Sequence, residues 1–118
     1  MTYALLLAIS TLTLMTADAT GTWTGTLTPD SDGQARPAYL VLKQEGDKLT
    51  GTGGGSAEEQ IPIQNGKVDN GTLTFELNTG SFVMSFRVKQ QGDEISGDVR
   101  RERDGKIQTA KLAVKRTP

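Results

Sequence analysis

Four short clusters in this chain bring together side chains capable of chemistry. Asp30-Ser31-Asp32-Gly33 has the opening rhythm of a calcium loop, in which alternating oxygen ligands wrap a hard cation. Such a loop needs a carboxylate at its twelfth position, and Val41 stands there instead, so a flexible polar loop is expected. Gly53-Gly54-Gly55-Ser56 has the composition of a phosphate cradle, but no Lys and no helix follow to complete one, which favours a lid or linker. Glu58-Glu59 offers two carboxylates for acid/base work. Neighbouring residues of an extended chain point to opposite faces, so the two read as solvated charges. Arg100-Arg101-Glu102-Arg103 gathers three guanidiniums and reads as the rim of a hairpin, with an anion or partner patch as the alternative. Asn70-Gly71-Thr72 fits the glycosylation sequon, yet a tight turn demands Asn-Gly in any case.

What is missing narrows the chemistry further. The chain has 118 residues, with neither Cys nor His. Disulfides, thiolate nucleophiles and lipid-modified cysteines are excluded, as are His-based triads and the commonest zinc ligands. An enzyme would have to rest on carboxylates, Tyr39, Lys or Arg, and no convergent set of these emerges. A non-catalytic protein without metal or cofactor is expected. The length allows one domain.

The N-terminus carries an export signature. Ala4 to Met15 is apolar, too short and Thr-rich for a membrane span, and Ala17-Asp18-Ala19 has the small-x-small form of a signal-peptidase site. Met1-Thr2-Tyr3 lacks the usual basic residue, and an N-terminal strand is the competing reading. Residues 1–19 are expected to be a signal peptide and 20–118 the mature domain, without a membrane span and located outside the cytoplasm, in the periplasm or beyond. Residues 20–80 hold 4 basic and 8 acidic side chains, and residues 81–118 hold 9 and 5. That imbalance can polarise a surface, but it falls short of the basic stripe that nucleic-acid binding requires, so no nucleic-acid partner is expected.

The elements that must position these clusters are strands. Gly46-Asp47, Asp69-Asn70-Gly71, Thr79-Gly80, Gly92-Asp93 and Asp104-Gly105 supply the positive-φ residues of hairpin turns. Between them apolar and polar residues alternate, as in Leu73, Phe75, Leu77 and again in Phe82, Met84, Phe86, Val88, and no segment keeps a helical period. The pattern predicts strands over 21–28, 38–45, 48–54, 59–69, 72–78, 81–91, 94–103 and 106–116, with a bulge at Asn65-Gly66. Leu40 to Gly51 also aligns with Phe86 to Gly97 through Lys-Gln-x-Gly-Asp-x-[Leu/Ile]-[Thr/Ser]-Gly, an internal repeat or the convergence of two like hairpins. Eight strands joined by tight turns predict an all-β fold: an antiparallel up-and-down barrel that closes its own edges.

Gly21-Thr22-Trp23 at the first strand resembles the G-x-W signature of the calycin superfamily, which includes lipocalins, fatty-acid-binding proteins and avidins. Leu49-Thr50-Gly51-Thr52 resembles the third strand of avidin-type barrels, and nearly all of the mature chain resembles small secreted bacterial proteins of this pattern. The resemblance implies that Trp23 plugs the closed end and that a basic residue of the last strand packs over it. Arg116 holds the matching position, where a guanidinium can stack on the indole. Avidin-type biotin sites are walled by several tryptophans, whereas this chain has one, so no biotin binding is expected.

Two functions remain open. One is a barrel that takes a small apolar or amphipathic ligand at its open end, through Leu40, Phe75, Met84 and Phe86 with loop residues Asp32, Arg36 and Ser56. The two longest loops, Pro29 to Pro37 and Gly55 to Glu58, are expected at that end. The other is a packed barrel that engages a protein partner through its loops, as some periplasmic protease inhibitors of this shape do. Gly25, Gly51, Gly53 and Gly97 leave the choice undecided: glycines on inward positions either open a pocket or relieve strand coiling. Interior volume discriminates the two.

Overall fold

Alternating inward Leu, Phe, Val and Ile make each segment a strand with one wet face, and eight such strands hide their apolar faces by curling into a tube. A computed structural model describes residues 18–117. The stretch Ala4–Met15 lies outside those residues, whereas Asp18 and Ala19, ahead of the expected cleavage point, lie inside. The strands are β1 (Gly21–Pro29), β2 (Arg36–Glu45), β3 (Lys48–Ser56), β4 (Glu59–Asp69), β5 (Thr72–Asn78), β6 (Val83–Gln91), β7 (Glu94–Arg103) and β8 (Lys106–Arg116). Each pairs antiparallel with the next, and β8 returns to β1 with Trp23 opposite Arg116, closing the barrel.

The turns have the chemistry that their residues impose. At Gly46-Asp47 and Gly92-Asp93 positive φ falls on the glycine alone, as a type II′ turn requires. Asn70-Gly71 and Asp104-Gly105 are positive at both residues, the type I′ pattern. The sequence repeat builds one hairpin twice. Gln44 Nε2 donates to the Gly46 carbonyl at 2.8 Å, and Gln90 Nε2 donates to the Gly92 carbonyl at 3.1 Å. The expected bulge is present: Asn65 takes φ 54°, β4 slips register against both neighbours, and Asn65 Nδ2 donates to Glu76 Oε1.

Four boundaries differ from expectation, the smallest being the end of β1, which runs one residue further to Pro29. β2 begins at Arg36, which shortens the first loop to residues 30–35. β3 runs on through the glycine triplet to Ser56, so no long loop spans 55–58 and only Ala57-Glu58 turns the chain. Gln60 explains this: its Nε2 donates to the Tyr39 and Ser56 carbonyls while its Oε1 accepts from Thr52, tying three strands together beyond the expected end. β6 starts at Val83 because the Thr79 hydroxyl organises a loop, accepting from Ser81 and Phe82 N–H and donating to the Phe82 carbonyl.

The inward glycines divide by role. A Cβ on Gly25 would lie 2.0 Å from the Ala113 carbonyl oxygen, and one on Gly51 1.9 Å from that of Val41, so these positions admit tight strand coiling. Gly97 likewise abuts the backbone of β6. Gly53 faces side chains instead, Leu40 and Leu77.

Candidate functional site

At the end where β1 begins, the interior is full. Trp23, Leu42, Leu49, Leu73, Val88 and Ile95 are buried there. Ala19 is 0% exposed, and its carbonyl accepts the Trp23 indole N–H at 3.0 Å. The Arg116 guanidinium carbon sits 4.4 Å above the Trp23 ring. Arg116 donates to the Thr20 carbonyl, to the Asp18 carbonyl at 3.1 Å and to Asp93 Oδ1 at 2.8 Å. The two repeated glutamines hold the same segment from either side: Gln44 Oε1 accepts from Ala19 N–H, and Gln90 Nε2 donates to the Asp18 carbonyl. Residues 18–20 thus cap this end.

The opposite end is open. A cavity of about 750 Å³ enters the barrel there, within the size range of small-molecule sites. Its apolar wall includes Leu27, Leu40, Leu77, Met84, Phe86 and Leu112, drawn from five different strands. Arg36, Ser56, Glu58 and Glu59 stand on the rim. Glu58 and Glu59 share the rim because Glu58 occupies the turn, where strand alternation does not apply.

A recess of about 70 Å³ adjoins the cavity and shares Leu27, Arg36 and Met84 with it. Arg101 and Gln108 close its far side. Arg101 is half-buried, its guanidinium carbon 4.5 Å from the centre of the Phe82 ring, and its Nε donates to Gln108 Oε1 at 2.7 Å.

Leu40, Met84, Phe86, Arg36 and Ser56 therefore lie together on one cavity. Phe75 does not line it. Phe75 is directly opposite Phe86 in the β5–β6 register, and the two rings stack at 4.5 Å and 10°, so Phe75 backs the wall from beneath. Asp32 stays in the 30–35 loop, where it pairs with Arg36 at 2.8 Å and accepts the Gln34 N–H. Sequence reasoning missed Leu27, Leu77 and Leu112, and it named Arg101 only within the Arg100–Arg103 cluster, without placing it at the mouth. The signal was available in strand alternation: Arg101 shares the inward phase of Ile95, Gly97 and Val99, whereas Arg100 faces out.

The outer wall has a different chemistry. Lys67, Arg87, Asp98 and Lys111 stand in one row across five strands, with Thr74 between Lys67 and Arg87. A hydrogen bond and charge attraction from Asp98 raise the pKa of the Lys111 ammonium. Among the described residues no group of His, Cys, Asp and Glu is placed to hold a metal ion, and no helix is long and apolar enough to cross a membrane. No protein-family model, curated protein or solved structure matches the chain.

Proposed function

We propose that this protein is a calycin-like, exported, non-catalytic barrel that binds a small apolar or amphipathic molecule in its open mouth. The observation that carries the reading is the contrast in filling. The same eight strands pack solidly around Trp23 at one end and leave about 750 Å³ at the other, walled by leucines, a methionine and a phenylalanine. Burying apolar surface of a ligand against that wall supplies the driving force, at roughly 25 cal/mol per Å² before the costs of association. Polar groups confined to the rim leave one part of the ligand in contact with water, which suits an amphipathic molecule. The charged outer wall suits a carrier that moves through an aqueous compartment.

Native mass spectrometry of the exported protein, purified without organic extraction, tests this. A reproducible extra mass of a few hundred daltons is expected, and it should vanish in Met84→Trp, which fills the mouth from a half-buried position. A clean apo mass that persists after incubation with lipid extract would overturn the carrier reading and turn attention to protein partners at loop 30–35.

A further inference from the structure

We infer that the ligand is an anionic amphiphile whose head group is received by Arg101 and Arg36 in the recess beside the cavity. The inference rests on the carrier reading above and names the charge that the mouth selects.

Three arginines line one recess, which shares Leu27, Arg36 and Met84 with the apolar cavity; Arg100 is on the outward phase of β7, which leaves Arg36 and Arg101 as the guanidiniums on the cavity side. Their states differ. Arg36 has a carboxylate partner in Asp32, which leaves other donors of its planar fork unspent. Arg101 has none: among the described residues every ion pair involves another cation, and the only side-chain acceptor on Arg101 is the neutral amide of Gln108. Gln108 takes Nε, so the two terminal nitrogens of Arg101 remain for a ligand. The Phe82 ring beneath holds the guanidinium flat and spares it the entropy of searching. A fixed guanidinium beside apolar surface matches a carboxylate or phosphate joined to an alkyl chain, with charge-assisted bonds at the head and burial at the tail. Glu58 in the β3–β4 turn and Glu59 at the start of β4 stand on the cavity rim away from the recess, which is built by β1, β2 and β6–β8; on the recess side the Asp32 carboxylate is taken up by Arg36 and that of Asp30 accepts from Thr109 Oγ1. Repulsion from Glu58 and Glu59 disfavours an anionic head beside the β3–β4 turn and favours one beside the arginines.

A matched series tests the charge separately from the cavity. Decanoate, decyl phosphate, decanol and decylamine are titrated against the folded protein at neutral pH and low salt, with a neutral fluorescent naphthylamine as the displaced probe. Decanoate and decyl phosphate are expected to bind at least tenfold more tightly than decanol, and decylamine more weakly than decanol. Whichever anion binds better distinguishes a carboxylate head from a phosphate one. Arg101→Gln should remove most of the anion preference while leaving decanol affinity within about twofold. Arg101→Lys, which keeps the charge without the fork, should retain part of it, and that partial rescue separates loss of charge from loss of fold. Equal affinity for decanol and the anions, or tighter binding of decylamine, would overturn the head-group assignment and leave the carrier reading standing. Failure of the probe and of every amphiphile to bind would overturn both.

Discussion

The two ends of the barrel are cut from the same strands, and they differ in what occupies the inward positions. On β5, Leu73 at the closed end is 0% exposed and packed among fully buried neighbours, while Leu77, four residues on and facing the same way, is 5% exposed and lines the cavity. Strand geometry cannot account for that difference. At the closed end a tryptophan, an arginine stacked on it and three residues of incoming chain fill the tube from below. At the open end nothing among the described residues plays that part. An eight-stranded barrel is just wide enough for its own side chains, so whether it is solid or hollow is decided by plugs rather than by strands.

The largest effect should come from cutting the same side chain at each level. Leu73→Ala is expected to cost about 3–5 kcal/mol of unfolding free energy, because the site is enclosed and cannot collapse. Leu77→Ala should cost about 2 kcal/mol or less, since its surroundings already border open space. Equal costs in urea titrations would break the comparison by showing that the open end is as tightly packed as the closed one.

Removing the arginine lid comes next. Arg116→Gln discards the stack on Trp23 and the charge-assisted bonds to the Asp18 and Thr20 carbonyls, for about 1–3 kcal/mol. Trp23 fluorescence should shift to the red as the indole becomes wetter, with no change in ligand binding at the other end. A loss of ligand affinity in this variant would show that the two ends are coupled.

The N-terminal cap makes a third test. A chain starting at Thr20 lacks the Ala19 carbonyl that accepts the buried indole N–H, so it should be about 1–3 kcal/mol less stable than one starting at Asp18. Thermal melts of the two chains, set beside the intact mass of the protein recovered from expressing cells, relate this cost to the processing site expected after Ala19. Identical melting temperatures would show that water replaces the carbonyl without penalty.

The barrel itself was legible because its determinants are local. Turn residues fixed the hairpins, alternation fixed the inward faces, and the Asn65-Gly66 pair announced the bulge. What escaped was set across strands. Gln60 extends β3 by bonding to Tyr39 on β2, a partner twenty-one residues away that no local pattern reveals. Thr79 converts the start of the sixth expected strand into a loop through one hydroxyl. The four inward glycines look alike in sequence, yet Gly25, Gly51 and Gly97 meet neighbouring backbone and only Gly53 meets cavity side chains. Within the site, Leu40, Met84, Phe86, Arg36 and Ser56 were within reach of alternation and loop placement. Phe75 was not distinguishable from Phe86, because depth along the barrel depends on strand stagger.

The smallest effect belongs to the loop. Asp32→Ala removes an ion pair whose side chains are 56% and 40% exposed, so stability should change by about 0–1 kcal/mol. Affinity for decanoate should hold or rise, because Arg36 loses a competing carboxylate. A marked fall would mean that Asp32 positions Arg36 for the ligand rather than competing for it.

The most direct test of a mouth that is hollow while the base is full is a methyl-detected NMR titration with decanol, a neutral probe indifferent to the arginines. Saturable shifts are expected at Leu27, Leu40, Leu77, Met84 and Leu112, with Leu42, Leu49 and Leu73 unmoved. Absence of saturable shifts, or shifts spread over the outer wall, would contradict a binding cavity at the open end.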